Sequence, residues 1–540
     1  MPSVLPAVLP FAAPTAPALR TRPSRRPPLC LLLAVLLGVL VTGTGPVAHA
    51  AVRESGPPGP ERYAAIDTFV RERMAATGAP GVAYAVVGPD GPLHQRALGT
   101  DGRGGRVTGR TPFLWGSVAK PVAATAVMAL AEEGRLALDD RVVEHLPGFR
   151  FGGPAHASRV TVRQLLGHTA GIPASATLRV TDCHDTDCPR PAGRLAELDG
   201  VEPLGPPGAA YAYSSASYLI LAAVVEAATG RSFADELRRS VLRPAGMDGA
   251  IADRATARAR DLSPGHQPLW GVPAAVADGY DDHGAAYGYL GGDLGDLAAF
   301  AAFQLRSTRT PDGRAVLSPD SVRLMREEGR TRPDGEPTGY GLGWRVGGPD
   351  ASLDRAVWHT GGSPGHSAMV FLFPERGTAL VLQQNLYGLL QDEAVMEVGF
   401  GAARILTGGT ADGTDGPSAA VHHLVVWGTT GVAAALLVAA VRAGLLLRRP
   451  RTGRRYGAVA TALWCLAAAL PWTVVALVAD RIGLGQLLIW VPDAAWALGA
   501  ATAAGTATAL LRLILVVRGR TAGAPPFEVL EQPREGVSAS

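Results

Sequence analysis

Ser117 and Lys120 stand three residues apart in the segment GSVAKPV, and Lys120 is the only lysine among the 50 basic residues of the sequence. A lysine amine that loses its proton can act as a base, whereas a guanidinium stays protonated. On a helix, residues i and i+3 share a face, so this hydroxyl and this amine can share a proton. The pair predicts attack of a serine on a carbonyl carbon; the alternative is a stray, solvated lysine.

The start of the helix that carries this pair is indicated by Pro121, which lacks an N–H and fits only the first helical turn. If Ser117 is the N-cap, Pro121 is the fourth helical residue, the last position that tolerates it. The N-terminus of a helix favours negative charge, and its free N–H groups can stabilise an oxyanion. The apolar neighbours Phe113, Leu114 and Trp115 can desolvate the amine and lower its pKa.

The surrounding pattern predicts an α+β domain from Glu61 to Leu406. Strand patterns occur near its start, in GVAYAVV and GPLHQRALG around a Pro-Asp-Gly turn, and again near its end, in YGLGWRVGG, SAMVFLFP and GTALVLQQN. Helical patterns lie between them, as in Ala123 to Glu133 and Ala216 to Ala228. Because strands occupy both ends, we expect the two ends to pair in one sheet.

Further segments make the sequence resemble the serine β-lactamase and penicillin-binding-protein superfamily, particularly its branch of class C β-lactamases, D-peptidases and esterases. The resemblance spans Glu61 to Leu406. It implies an antiparallel sheet flanked by helices, a mostly helical subdomain and the activity of a serine hydrolase. The segments that carry it are GSVAKPVAATAVMALAEEGRLALDDRVVEHLPGF, VTVRQLLGHTAGIP, YAYSSASYLILAAVVE, YGYLGGDLGDLAAF, YGLGWRV and VWHTGGSPGH.

The resemblance also implies the roles of individual residues. Ser117 would be the acylated nucleophile and Lys120 its base. Tyr213 of YSS matches the tyrosine of the family's Tyr-x-Asn element, which relays a proton to the leaving group and helps to activate the deacylating water. Ser215 stands where that element has Asn, which shortens the hydrogen-bonding reach toward a substrate amide.

A second element, His359, Thr360 and Gly361, matches the family's Lys-Thr-Gly on an edge strand. A neutral imidazole holds a substrate carboxylate less firmly than an ammonium group does. The oxyanion hole is expected from the backbone N–H groups of Ser117 and Gly362. The replacement of Asn by Ser215 and of Lys by His359 weakens the case for β-lactam hydrolysis as the main activity. It does not weaken the case for acyl transfer.

The remaining chemical motifs receive simpler interpretations. Cys183 and Cys188 in TDCHDTDCPRP predict a disulfide of an oxidising compartment; a metal site that includes His184 is the alternative, and it lacks a second ligand pair. GGSPG matches a nucleophile elbow at Ser363, but a strand pattern follows where that elbow needs a helix. No metal or cofactor is expected.

Both ends of the chain carry apolar segments. The N-terminal segment has the pattern of an export signal: basic residues, then the apolar run LCLLLAVLLGVLV, then the small-residue site AHA. A retained membrane anchor and a start codon placed too early are the alternatives. The arginine-rich RAGLLLRRPRTGRRY should be cytoplasmic, which places the hydrolase domain outside the cytoplasm. The predicted organisation is a signal peptide (1–50), a linker (51–60), the hydrolase domain (61–406), a flexible linker (407–420), a membrane region (421–520, with helices at about 424–441, 457–479 and 494–517) and a cytoplasmic tail (521–540).

These features predict a membrane-tethered extracytoplasmic serine hydrolase that forms an acyl-enzyme on an amide or ester. Its substrate would be a small molecule or a cell-wall peptide: a D-peptide, a short ester or a β-lactam. The alternative is a penicillin-binding type of receptor or sensor that is coupled to the membrane helices. The net charge of +3 is too small to indicate nucleic-acid binding.

Overall fold

The computed structural model describes residues 58–328, 338–411, 418–449 and 457–521. Several predicted features lie wholly or partly outside these residues: the signal peptide, residues 51–57 and 412–417 of the two linkers, and residues 522–540 of the tail.

A seven-stranded antiparallel sheet forms the centre of the predicted α+β domain, with its strands in the order β2-β1-β11-β10-β9-β8-β7. The first strand pairs with the last, with Val82 opposite Gln384, so the predicted pairing of the two ends is confirmed. The strands are β1 Gly81–Gly88, β2 Gly91–Gly99, β3 Phe113–Leu114, β4 Gly265–Leu269, β5 Val272–Ala277, β6 Gly291–Gly292, β7 Gly339–Tyr340, β8 Arg345–Val346, β9 Val357–Ser363, β10 His366–Phe373 and β11 Thr378–Gln384.

Both faces of this sheet are covered, and β1, β10 and β11 are therefore buried along their whole length. The helices Pro60–Thr77 and Asp392–Thr407 cover one face. The helix Leu294–Leu305 and the helical subdomain cover the other face. Successive side chains of each central strand divide between the two cores, because they point to opposite faces.

The helical subdomain contains the helix that follows Ser117, which is apolar on all sides and almost completely buried. The helices predicted at Ala123 to Glu133 and at Ala216 to Ala228 are both present. The helix Pro60–Thr77 ends at Gly78, whose φ of 70° suits glycine. The helices of the subdomain and its surroundings are Ala119–Glu132, Val142–His145, Pro154–Ala157, Val162–Leu166, Thr177–Val180, Pro191–Arg194, Ala216–Thr229, Phe233–Leu237, Arg243–Ala245, Arg254–Ala259 and Pro319–Arg323.

Three long apolar helices follow the hydrolase domain: Ser418–Arg448, Ala458–Arg481 and Pro492–Thr521. Each is long and apolar enough to cross a bilayer, and the three overlap the predicted spans. Small residues pack between them, so a Cβ on Gly505 would lie 2.8 Å from the Ala468 carbonyl oxygen. Large side chains such as Leu424 and Val459 point outward, 70% and 75% exposed. An apolar surface of this kind suits lipid contact.

Candidate active site

The nucleophile turn begins where β3 ends. β3 pairs with β6, and a 3-10 turn, Gly116–Val118, then leads into the helix Ala119–Glu132. The prediction that Ser117 is the N-cap is wrong: Val118 holds that position, and Pro121 is the third helical residue. Ser117 instead lies within the 3-10 turn, which has three residues per turn, so its side chain comes directly over that of residue 120.

Lys120 is completely buried and makes three polar contacts. Its Nζ lies 2.8 Å from Ser117 Oγ, 3.0 Å from Ser215 Oγ and 2.9 Å from the carbonyl oxygen of Tyr287. A neutral amine has two N–H donors and one lone pair. Because a carbonyl can only accept, one of the two serine hydroxyls can donate to that lone pair. This geometry lets the amine receive the Ser117 proton.

The electrostatic surroundings of Lys120 favour its uncharged form. Burial lowers the pKa of Lys120 well below its ordinary value of 10.5. The guanidinium of Arg345 lowers that pKa further, and the carboxylate of Asp182 opposes both effects. This shift favours the neutral amine, which is the form that can act as a base.

Tyr213 and Ser215 lie on the segment that leads into the helix Ala216–Thr229. Nζ of Lys120 is 5.0 Å from the centre of the Tyr213 ring. Burial raises the pKa of the Tyr213 hydroxyl, and a hydrogen bond with Ser117 acts in the opposite direction. The protonated phenol thus lies beside the nucleophile. The Ser215 N–H donates to Thr177 Oγ1 at 2.9 Å, which fixes the serine in place.

Strand β9 brings two glycines, Gly361 and Gly362, against the turn that carries Ser117. A Cβ on Gly361 would lie 2.1 Å from the Trp115 carbonyl oxygen and 2.4 Å from the Ser117 nitrogen. Gly116 has a φ of 53°, and a Cβ there would lie 2.4 Å from the Gly362 nitrogen. Only glycine permits this approach, which brings the backbone nitrogens of Ser117 and Gly362 to one place. Two such donors form the arrangement of an oxyanion hole.

Neighbouring groups engage both ring nitrogens of His359 in β9. Nδ1 lies 2.6 Å from the Thr360 carbonyl oxygen, which can only accept, so this nitrogen carries the proton. Nε2 then accepts from the Tyr340 hydroxyl at 3.1 Å. Burial and the Arg345 charge lower the pKa of His359 well below its usual value, so the ring is neutral. The half-buried Thr360 and Gly362 remain as the members of this element that solvent reaches.

Arg345 is a residue of this site that the sequence prediction missed. It lies on β8 opposite Trp358 of β9, and its guanidinium carbon is 5.4 Å from the centre of the Tyr213 ring and 5.3 Å from that of Trp358. Within the described part of the chain these ring contacts have no accompanying ion pair or hydrogen bond to Arg345. With so many arginines in the sequence, residue type gave no signal that could single out this one.

The other sequence motifs lie around the site. A disulfide joins Cys183 and Cys188, so these sulfurs are not metal ligands, and no group of three or more candidate ligands occurs among the described residues. At Ser363 the chain passes from β9 directly into β10, a strand-to-strand turn without the helix of a nucleophile elbow.

Comparison with known proteins gives concordant matches. The family model described as Beta-lactamase matches residues 66–398. Penicillin-binding protein 4 of Amycolatopsis lactamdurans is 34% identical over 321 residues, which cover 57% of this chain and 81% of that protein. Penicillin-binding protein 4* of Bacillus subtilis (strain 168) is 28% identical over 292 residues, which cover 51% of this chain and 60% of that protein.

Among solved structures, the octameric penicillin-binding protein homologue from Pyrococcus abyssi superposes with a TM-score of 0.55 at 22% identity, covering 65% of this chain and 78% of that chain. This likeness concerns the fold. The family model covers more than half of the chain and spans both the nucleophile turn and β9. The protein therefore belongs to the beta-lactamase family.

Proposed function

We propose that this protein is a membrane-tethered extracytoplasmic serine hydrolase that forms an acyl-enzyme at Ser117 on a substrate with a free carboxylate. The observation that carries the proposal is the completely buried Lys120 amine, with a lowered pKa, 2.8 Å from the Ser117 hydroxyl and beside the backbone nitrogens of Ser117 and Gly362. Nucleophile, base and oxyanion donors are the parts that acyl transfer requires.

The proposed reaction has two stages. Lys120 takes the Ser117 proton as Oγ bonds to the substrate carbonyl carbon, and the N–H groups of Ser117 and Gly362 hold the oxyanion. The bond to the leaving amine or alkoxide then breaks, and Tyr213 delivers a proton to that group. In the second stage water attacks the ester carbonyl, gives up a proton to the Lys120 and Tyr213 pair, and releases the acid with regeneration of the Ser117 hydroxyl.

Arg345 supports the free carboxylate as the recognised group. A guanidinium donates two parallel hydrogen bonds to a carboxylate, and such charge-assisted bonds are strong. The group lies beside the Tyr213 ring and without an acidic partner in the described residues. His359 stands where the family's Lys-Thr-Gly element has a lysine, and both of its ring nitrogens already have hydrogen-bond partners. Arg345 would therefore supply the positive charge that the lysine supplies in that element. A D-peptide with its C-terminal carboxylate fits this arrangement.

The membrane orientation is supported by contacts at the loop between the second and third apolar helices. In this loop Gln486 Nε2 donates to the Thr181 carbonyl oxygen of the hydrolase domain at 3.0 Å. The domain and this loop must then lie on the same side of the bilayer. With the arginine-rich loop in the cytoplasm, that side is extracytoplasmic, where a disulfide such as Cys183 to Cys188 persists.

The test is intact-mass measurement of the full chain in detergent after incubation with a labelled penicillin, together with turnover of a chromogenic ester. We expect one equivalent of adduct on the peptide that contains Ser117, and sustained ester turnover. The Ser117→Ala variant should show neither. The proposal is contradicted if the wild-type protein neither forms the penicillin adduct nor turns over the ester. It is also contradicted if Ser117→Ala turns over the ester as fast as wild type. Adduct that is never released would favour the receptor alternative instead.

Replacement of Arg345 by Leu should discriminate between substrates. For a peptide with a free C-terminal carboxylate we expect kcat/KM to fall about 10- to 100-fold, mainly through KM, because a hydrogen bond to a charged group contributes about 1.5–3 kcal/mol. The matched methyl ester should change less than about threefold by the same reasoning. Loss of the cation also raises the pKa of Lys120, so the acidic limb of the rate profile should move to higher pH. Equal losses for acid and methyl ester would contradict the assignment.

A further inference from the structure

A short helix, Leu484–Trp490, lies in the loop between the second and third membrane helices and packs on the hydrolase domain. Besides the Gln486 bond, the side chain of Gln267 donates to the Ile489 carbonyl oxygen at 2.8 Å. The membrane region therefore contributes an element to the surface of the hydrolase domain.

Trp490, at the end of this helix, packs on a residue that lies against Gly362, one of the two proposed oxyanion donors. Its ring packs edge-on against Tyr387, with ring centres 6.1 Å apart and planes at 80°. The Tyr387 ring lies against Gly362: a Cβ on that glycine would be 2.2 Å from Tyr387 Cζ. Tyr387 is also held by its hydroxyl, which donates to Asp392 Oδ1 at 2.8 Å. Trp490 thus supports Tyr387, and Tyr387 in turn supports Gly362.

Trp490 is also connected to Lys120, the proposed base, through a series of hydrogen bonds. Its Nε1 donates to Asp182 Oδ2 at 3.1 Å. The carboxylate of Asp182 is buried, and it also accepts from Tyr289 Oη at 2.9 Å. The backbone N–H of Asp182 donates to Tyr287 Oη at 3.0 Å, and the Tyr287 carbonyl oxygen accepts from Lys120.

Asp182 is a demanding residue to hold in place. It has a φ of 60° in a fully packed environment, and burial raises the pKa of its carboxyl group. The hydrogen bonds from Thr181, Tyr289 and Trp490 act in the opposite direction and lower that pKa. Without the Trp490 donor, Asp182 Oδ2 would lose one of the two hydrogen bonds that it accepts among the described residues and would keep the one from Thr181 Oγ1 at 2.9 Å. Loss of a hydrogen bond to a buried polar group costs free energy.

We infer that Trp490 is a positioning residue of the active site, through which the membrane region holds Tyr387 against Gly362 and holds Asp182 against the hydroxyl of Tyr287, the residue whose carbonyl oxygen accepts from Lys120. The inference rests on the proposed acyl-enzyme function. It also gives the third span a role beyond anchoring, since the loop helix exists only between two spans.

The test uses the full chain in detergent or nanodiscs and three variants. Trp490→Leu removes the ring and the donor, whereas Trp490→Phe keeps a ring against Tyr387 and removes only the donor. Trp496→Leu is the matched control: Trp496 stacks on Trp270, with centres 6.3 Å apart, in another contact between the third membrane helix and the hydrolase domain. Titration of Ser117 with labelled penicillin gives the active fraction, and steady-state kinetics give kcat and KM.

We expect Trp490→Leu to keep its active fraction while kcat falls about 10- to 100-fold with little change in KM, because small displacements of catalytic donors cost rate. Trp490→Phe should recover part of that loss, and Trp496→Leu should lie within about twofold of wild type. If Trp490→Leu loses its active fraction, Trp490→Phe decides: a full active fraction with a several-fold lower kcat supports the inference.

Three outcomes would overturn it: wild-type kcat in Trp490→Leu, wild-type kcat in Trp490→Phe when the leucine variant is inactive, or an equal loss in Trp496→Leu. None of them affects the proposed function, which stands or falls on labelling and turnover by the wild-type protein.

Discussion

The Lys120→Met variant should acylate Ser117 roughly 1,000-fold more slowly than wild type, within the range of about 10²–10⁴ that a general base contributes. Methionine has nearly the shape of lysine, but its thioether cannot take the hydroxyl proton. Lys120→Arg should be equally slow, because a guanidinium does not act as a base at these pH values. Stopped-flow labelling with a fluorescent penicillin measures the rate.

The pH dependence follows from the lowered pKa of Lys120. Wild-type acylation should fall as pH drops through that pKa and be constant above it, and the methionine variant should lack this limb. Between the lowered folded pKa and the ordinary value of 10.5, the unfolded chain binds a proton that the folded chain does not. The stability of wild type relative to Lys120→Met should therefore increase with pH in that window. Near-normal acylation by Lys120→Arg would show that the lysine is not the base.

The Tyr213→Phe variant should lose about 10²- to 10⁴-fold in kcat on an amide substrate, because the departing amine needs the proton that the phenol supplies. A nitrophenyl ester has a leaving group that departs without a proton. With this ester we expect a loss of less than about tenfold by the same argument. Comparison of the two substrates at saturation separates proton transfer from binding.

The matched control for this variant is Tyr211→Phe. The hydroxyl of Tyr211 is buried and makes no hydrogen bond in the described part of the chain, while its ring packs near Tyr340. Its removal should leave both substrates unaffected. Equal losses on amide and ester by Tyr213→Phe would assign Tyr213 to oxyanion or substrate positioning rather than to the leaving group.

Local sequence patterns determined much of this protein. The apolar runs of β1, β10 and β11 and the apolar helix that contains Lys120 follow from residue order, because an element that is buried on all sides is made almost entirely of apolar residues. The spans follow from length and apolarity alone. The spacing of Ser117 and Lys120 predicted that the two side chains meet, and they lie 2.8 Å apart. Ser117, however, is not the N-cap of the helix but lies in a 3-10 turn that ends at Val118.

Only the tertiary structure decided the rest of the site. Arg345 is one arginine among many until β8 lies beside β9 and its charge faces Tyr213. Trp490 is more than 300 residues from Asp182 in sequence, and no short-range period connects them. Side chains from distant segments meet only when the chain has folded, so their chemistry depends on packing that local sequence does not encode.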